Sequence, residues 1–295
     1  MITIRPAHAD DLAQAFEIFY ENEIHGESSP PPLPDARPAT LAHILRTGIV
    51  YVAEDNGHML AFAAAMTRGK VTYLTDLFVR PDQQSSRLGQ TLLRSVLSSS
   101  PDGVRCTQSS TDPRALALYI RSGMHPQWPN FCLRLEKDAL GEQWPTDLKV
   151  VEAHPGDPEL VEWDAQVSGR HRPQDHAYWI SEQEAMPLWF QHNGVTIGYG
   201  YVRLGAGTLW FPEACTLGPI GARTPADAVR CVLAAVDWAR QRAAILRIDV
   251  PGPHPSLALL LKAGFRITYV ETFVSNASTP FFDSQCYIAS GSELL

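Results

Sequence analysis

The strongest constraint in this sequence is an internal repeat. The segment AHADDL at Ala7 returns as AHPGDPEL at Ala153, and the turn Asn56-Gly57 returns as Asn193-Gly194. ALYIRSGM returns as ALLLKAGF, which pairs Tyr119 with Leu260 and Gly123 with Gly264 at an offset of about 141 residues. A period that long exceeds any single supersecondary unit and has the size of an ordinary domain. Two copies of one fold are therefore expected, residues 1–136 and 149–295, with EKDALGEQWPTD as the connection.

The first copy sets the fold class. Ile2 to Arg5 alternates as a strand and Pro6 ends it; Asp10 and Asp11 then suit a helix start, with Leu12, Phe16 and Phe19 on one face. The proline-rich run Ser28–Thr40 predicts a loop, with Thr40 capping a short helix through Leu41, Ile44 and Leu45. Strands are expected at Ile49–Glu54, Met59–Thr67 and Val71–Val79, joined by the turns Asp55-Asn56-Gly57 and Arg68-Gly69-Lys70. A helix (Leu88–Leu97), a strand (Val104–Gln108), a helix (Pro113–Ser122) and a strand (Phe131–Leu135) follow. A meander succeeded by alternating helix and strand predicts a mixed α/β fold, each copy a mostly antiparallel central sheet flanked by helices.

The stretch with most chemical content is YLTDLFVRPDQQSSRLGQTLL, Tyr73 to Leu93. A β-rich run reaches Val79, Pro81 stops it, and a polar loop feeds an amphipathic helix. The polar residues Gln83 to Ser86 fall where the following helix has N–H groups without intrahelical partners. Those donors and the helix dipole together make a seat for an anion, and the strand-loop-helix order suits a diphosphate.

This segment resembles the acetyl-CoA-binding motif of the GNAT N-acetyltransferase superfamily, Gln/Arg-x-x-Gly-x-Gly/Ala. The six positions here are Gln84, Ser85, Ser86, Arg87, Leu88 and Gly89, with Arg87 in place of the first family glycine. Glycine lets the backbone approach the phosphates; a guanidinium can instead contact a phosphate directly. A second segment, STDPRALALYIRSGMHP, is similar to the family's Asn-x-x-Ala-x-x-Leu-Tyr…Gly-Phe helix. Ala115, Leu118, Tyr119 and Gly123 match it, Asp112 replaces the Asn, and Met124 replaces the Phe. The resemblance covers most of residues 1–135. It implies acetyl-CoA as co-substrate, held by Leu77, Phe78 and Val79 of the strand, by Gln84, Ser85, Ser86, Arg87, Leu88, Gly89 and Gln90 of the loop and helix start, and by Asp112 and Ala115. It also implies Tyr119 as general acid and a backbone N–H of Leu77–Val79 as oxyanion donor. Tandem architectures with one inactive copy are familiar in this family. Here the second copy carries Leu217 to Pro225 where a phosphate loop is needed, with Pro219 and Pro225 deleting donors, and Leu260 has no proton to give.

The implied reaction is direct attack of a primary amine on a thioester in a ternary complex. It needs a proton acceptor for the amine, a donor for the carbonyl oxygen and a proton for the thiolate. A phenol holds its proton at neutral pH, which suits Tyr119 as the acid; packing of an aromatic on a buried helix face is the other reading. Asp76 is the candidate base or amine anchor, against the reading of a solvent-facing sheet acid. Glu21, Glu23 and Glu27 are further anchors, or a solvated charged face; His25 is a further candidate base, or an incidental histidine near a loop. His171 and His176 lack the spacing for a shared metal, and no metal is expected. The tryptophans Trp163, Trp179, Trp189, Trp210 and Trp238 crowd the second half, where core packing is the simpler role.

Composition bounds the remainder. A formal net charge of −8 argues against nucleic acid as a partner. The cysteines Cys106, Cys132, Cys215, Cys231 and Cys286 are scattered without a CxxC pair, which points to a reducing, cytoplasmic setting. Met1 leads directly into a strand, so no signal peptide is expected, and MLAFAAAM is too short to span a membrane. The expected partner is a small-molecule amine, with the chain a monomer or homodimer. The alternative is a non-catalytic GNAT-like protein that senses a CoA thioester or another metabolite, which Arg87 and Asp112 favour.

Overall fold

A computed structural model describes residues 1–35, 39–84, 87–98, 103–136, 146–204 and 208–295. These form two compact units, Met1–Thr107 and Gln108–Leu295. Ser85 and Ser86 of the loop, and residues 137–145 of the connection, lie outside the described residues.

The first unit contains β1 (Thr3–Pro6), α1 (Leu12–Glu23), α2 (Ala39–Thr47), β2 (Ile49–Asp55), β3 (His58–Arg68), β4 (Val71–Val79), α3 (Leu88–Leu97) and the start of β5 (Val104–Ser109). Its sheet runs β1-β2-β3-β4-β5, antiparallel except for the β4–β5 pair. Asn56 and Gly57 take φ of 52° and 80°, the left-handed pair that a two-residue hairpin turn demands. β3 is buried almost throughout, because α1 sets Ala15 and Ile18 against Met59 and Phe62 while α3 packs on β2, β3 and β4. Ala39 already has helical geometry, so Thr40 lies inside the first turn of α2 and is not its cap.

The second unit holds α4 (Pro113–Arg121), β6 (His125–Glu136), β7 (Lys149–Glu152), α5 (Pro158–Ser168), α6 (Pro173–Glu182), β8 (Ala185–His192), β9 (Val195–Arg203), β10 (Cys215–Ala222), α7 (Pro225–Arg240), β11 (Ile245–Pro251), α8 (Leu257–Lys262), β12 (Arg266–Ser275) and β13 (Tyr287–Ile288). Its strands are ordered β12-β6-β11-β10-β9-β8-β7, with β13 added to β10. Only β10 and β11 run parallel.

The repeat is visible in matched hydrogen bonds. Ala7 N donates to Val50 O at 2.9 Å and Ala153 N to Pro187 O at 2.8 Å. Asp11 N reaches His8 O and Asp157 N reaches His154 O, each at 3.0 Å. At the other end, Met124 N to Tyr119 O and Phe265 N to Leu260 O are both 3.1 Å, around Gly123 and Gly264 with φ of 86° and 102°. Both helices thus end in the same left-handed glycine cap.

The repeat and the packing divide the chain at different points. By sequence β6 closes the first copy, yet it lies between β11 and β12, paired with β11 from Glu136↔Ile245 to Asn130↔Pro251. Leu133 and Leu135 are buried there with Ile248 and Val250, so burial assigns the strand to the second unit. β6 also begins six residues before the expected Phe131. Pro126 is tolerated because the ladder is irregular between Phe273↔Trp128 and Val274↔Pro126, and proline fits where a ladder bond is already missing.

Candidate functional site

The first unit builds a half-open strand. β4 pairs with β5 only from Val71↔Val104 to Tyr73↔Cys106, and Thr107 Oγ1 then donates to Leu74 O at 2.8 Å. Beyond that point β4 continues to Val79 with β3 as its only ladder partner among the described residues, and burial drops from complete over Val71–Leu74 to partial over Thr75–Val79. Thr75 is the extra residue of a bulge between Leu74↔Ala65 and Asp76↔Ala64. Arg80 N donates to Leu60 O at 2.9 Å, which turns the peptide groups of Phe78 toward β3 and those of Leu77 and Val79 away from it. Leu77 and Val79 thus present amides along the open edge. Phe78 instead packs its ring on Phe19 and Phe62, with centroids 5.4 and 5.6 Å away. Asp76, two residues earlier, shares the face that α1 covers.

The strand leads into a 3-10 turn, Pro81–Gln83. Gln84 turns its amide inward, with Nε2 3.1 Å from Asn22 Oδ1. Arg87 precedes α3 with φ 68° and ψ 3°, a left-handed conformation that an L side chain resists and glycine accepts freely. That geometry gives the family glycine a physical reason and shows Arg87 bearing its strain. Leu88 is buried in the core and offers only backbone, while Gly89 and Gln90 are half-buried in the first turn. Among the described residues no side chain caps α3 and no acid lies in its first turn, so its N-terminal field is left for an anion. Beside the segment lies an open groove of about 560 Å³ lined in part by Glu21, His25, His58 and Asp82. Glu21 pairs with the Arg80 guanidinium.

The remaining expected site residues fall in the second unit. Asp112 caps α4, accepting from Arg114 N at 2.8 Å, and the Arg114 guanidinium holds its carboxyl below the usual range. Ala115 lies in the first turn of α4. Tyr119 is 6% exposed on the same helix. The first unit therefore collects Asp76, Leu77, Val79 and the loop, while Tyr119, Asp112 and Ala115 belong to the second.

Residues 46–123 match the family described as acetyltransferase (GNAT) domain. This segment is GNAT-like in sequence. The match begins in α2 and ends at Gly123, so it contains both the loop and the tyrosine motif. No curated protein sequence matches the chain. Solved structures share the fold over its whole length. A candidate acetyltransferase from Pyrococcus horikoshii is 17% identical with a TM-score of 0.76, covering 99% of this chain and 95% of its own. A tandem GNAT protein from the clavulanic acid biosynthesis pathway is 15% identical with a TM-score of 0.63, covering 95% and 100%. A GCN5-related N-acetyltransferase from Sphaerobacter thermophilus is 14% identical with a TM-score of 0.63, covering 96% of each chain.

The second copy of the fold fills the features that the first leaves open. Leu217–Ala222, read from sequence as a loop, is strand β10, because every residue of it is buried between neighbours. Its ladder with β11 ends at Leu217↔Ile248. β9 holds one edge of β10, and β13 takes the edge that β11 vacates, through Ile220↔Ile288 and Gly221↔Tyr287. A Cβ on Gly218 would lie 2.2 Å from Ala289 O, so the segment is in close contact. Tyr287 is fastened from behind by Arg172 Nη2 at 2.6 Å, and Arg172 forms a fully buried two-bond pair with Asp164 at 2.7 Å each. Opposite-charge contact with Arg172 keeps the Asp164 carboxyl ionised, far below its ordinary range despite burial. The start of α7 is also satisfied internally: Thr224 accepts from Asp227 N, and Asp227 adds a negative charge where a phosphate would sit.

Sequence reasoning overlooked Asn22, which lies between the flagged Glu21 and Glu23. A single asparagine in a helix has no periodic signature, and its importance comes from contacts 57 and 62 residues away. His176 Nδ1 lies 2.7 Å from Tyr201 OH inside the Asp164 network. Among the described residues, no group of three or more His, Cys, Asp or Glu is placed to hold a metal. No described helix is long and apolar enough to cross a membrane.

Proposed function

We propose that this GNAT protein is an N-acetyltransferase that uses acetyl-CoA as co-substrate and acetylates the primary amine of a small molecule. The observation that carries the reading is the family match over residues 46–123, which includes both the β4–α3 loop and Tyr119. The fit of the cofactor rests on two features of the first unit: an open strand edge with outward amides, and a helix start without cap or acid.

Acetyl-CoA supplies an activated acetyl group on a thiolate leaving group. The chain's part is to bind, orient and move protons. Backbone N–H groups from Gln84 to Gln90 and the Arg87 guanidinium bind the diphosphate. The N–H of Leu77 or Val79, fixed by the sheet, donates to the carbonyl oxygen as negative charge builds on it. Asp76 anchors the ammonium or accepts its proton, directly or through water. Tyr119 gives a proton to the departing sulfur, a role assigned by its motif. The amine nitrogen forms the new C–N bond as the C–S bond breaks, so no enzyme-bound acyl group is needed.

The second unit, in this reading, keeps the fold without binding a cofactor. A second reading, a non-catalytic sensor of CoA thioesters, is favoured by Arg87 in a strained position and by Asp112 turned onto Arg114. An assay for free thiol released from acetyl-CoA across a panel of small amines separates them. Amine-dependent release supports the enzyme; binding without release supports the sensor.

A further inference from the structure

Two consecutive residues at the end of α1 grip the two ends of the segment Arg80–Gln84. Glu21 pairs with the Arg80 guanidinium, whose Nε also donates to Met59 O at 2.7 Å. Asn22 takes the other end. Its Oδ1 accepts from Gln84 Nε2 at 3.1 Å, and its Nδ2 donates to Val79 O at 3.1 Å and to Ile18 O at 2.8 Å. Gln84 Nε2 also approaches Val79 O at 3.5 Å. One carboxamide thereby uses its acceptor and both its donors at once. Aspartate at this position would keep the size and lose both donors, and alanine would lose all three contacts.

The two residues that Asn22 joins matter because of where they stand. Val79 ends the open half of β4, and Gln84 opens the motif that leads to α3. The four-residue excursion between them has its own turn, with Gln83 N on Arg80 O at 2.9 Å, but that bond does not fix its angle to the strand. Asn22 ties the strand's last outward carbonyl to the loop's first side chain, which sets where Gln84 stands relative to the end of β4. Gln84 itself is turned onto Asn22, so its side chain serves the loop's shape.

We infer that Asn22 is a positioning residue for the cofactor loop, acting through Gln84 and the Val79 carbonyl. The inference rests on the acetyl-CoA reading above. Asn22 meets neither the thioester nor the amine in this role, so its loss weakens ground state and transition state equally. That pattern raises KM for acetyl-CoA and leaves kcat and KM for the amine near wild type. Two hydrogen bonds of ordinary strength correspond to roughly a 10-fold loss.

The test is calorimetric titration of the full chain with acetyl-CoA for wild type, Asn22→Ala, Asn22→Asp, Gln84→Ala and the Asn22→Ala/Gln84→Ala double variant, with thermal unfolding of each. The expected result is an about 10-fold weaker Kd in each single variant and a combined loss in the double variant clearly smaller than the product of the two, because the Asn22–Gln84 contact is common to both. Asn22→Asp, which preserves side-chain size, keeps the test readable if Asn22→Ala folds poorly. Wild-type affinity in folded Asn22→Asp or Asn22→Ala would overturn the inference, as would additive losses in the double variant. A wild-type chain that does not bind acetyl-CoA would instead overturn the functional reading, and this inference with it.

Discussion

Thr107 donates its hydroxyl to the carbonyl of Leu74 at 2.8 Å, at the point where β4 and β5 cease to pair. A side chain completes the ladder there and leaves the rest of β4 with an exposed edge. The candidate site follows from that ending: amides at Leu77 and Val79 face outward because no strand of the first unit takes them up. The second unit has the same ending at Leu217↔Ile248, and β13 covers it.

In the proposed reaction, Tyr119 is the residue that supplies the acid. Tyr119→Phe keeps the ring that packs and removes the proton that the thiolate needs. Turnover is expected to fall by about 100-fold, the low end for loss of a positioned acid, with Kd for acetyl-CoA unchanged. Steady-state kinetics beside a binding titration checks this. An unaltered kcat would return Tyr119 to a packing role.

Arg87 holds a backbone conformation that favours glycine. Arg87→Gly should stabilise the folded chain by about 1 kcal/mol by removing the left-handed strain, and Arg87→Ala should not. The guanidinium's contact with phosphate is read separately. Both variants should weaken acetyl-CoA binding and reduce its salt dependence if the charge is used. Thermal unfolding and titrations at two salt concentrations distinguish the two effects.

Glu271 on β12 gives the second unit a pH signature. Burial first, then the neighbouring Asp249 carboxylate, push its carboxyl up to about 8 from an ordinary 4.5. Between those values the folded chain keeps a proton that the unfolded chain releases, so stability falls as pH rises through this range. His254 works at the other end: burial pushes it down to about 4, so its loss of stability lies below about 6.5 as pH falls. Melting temperatures between pH 6.5 and 8 therefore read Glu271 without His254. The wild type should lose stability across that window, and Glu271→Gln should flatten the slope. Equal slopes would show that Glu271 titrates normally.

Local features of this fold were legible in the sequence, and distant ones were not. α3 and β4 lie where periodicity places them, since their boundaries are set by Pro81 and by the apolar spacing of Leu88, Leu92 and Leu93. The hairpin at Asn56-Gly57 follows from backbone geometry that those residue types adopt with little strain. The placement of β6 between β11 and β12 was not legible, because it depends on pairing across more than a hundred residues. The same holds for the site. A motif marks Gln84, Arg87 and Tyr119, whereas the Asn22 contact with Gln84 and the covering of β10 by β13 arise only when the chain is folded.

The most direct test is the number of acetyl-CoA molecules bound per chain, measured by calorimetric titration of the full-length protein. With the β4 edge open and the β10 edge covered, the prediction is one saturable site per chain. No binding, or two equivalent sites, would contradict the assignment of the cofactor to the first unit alone.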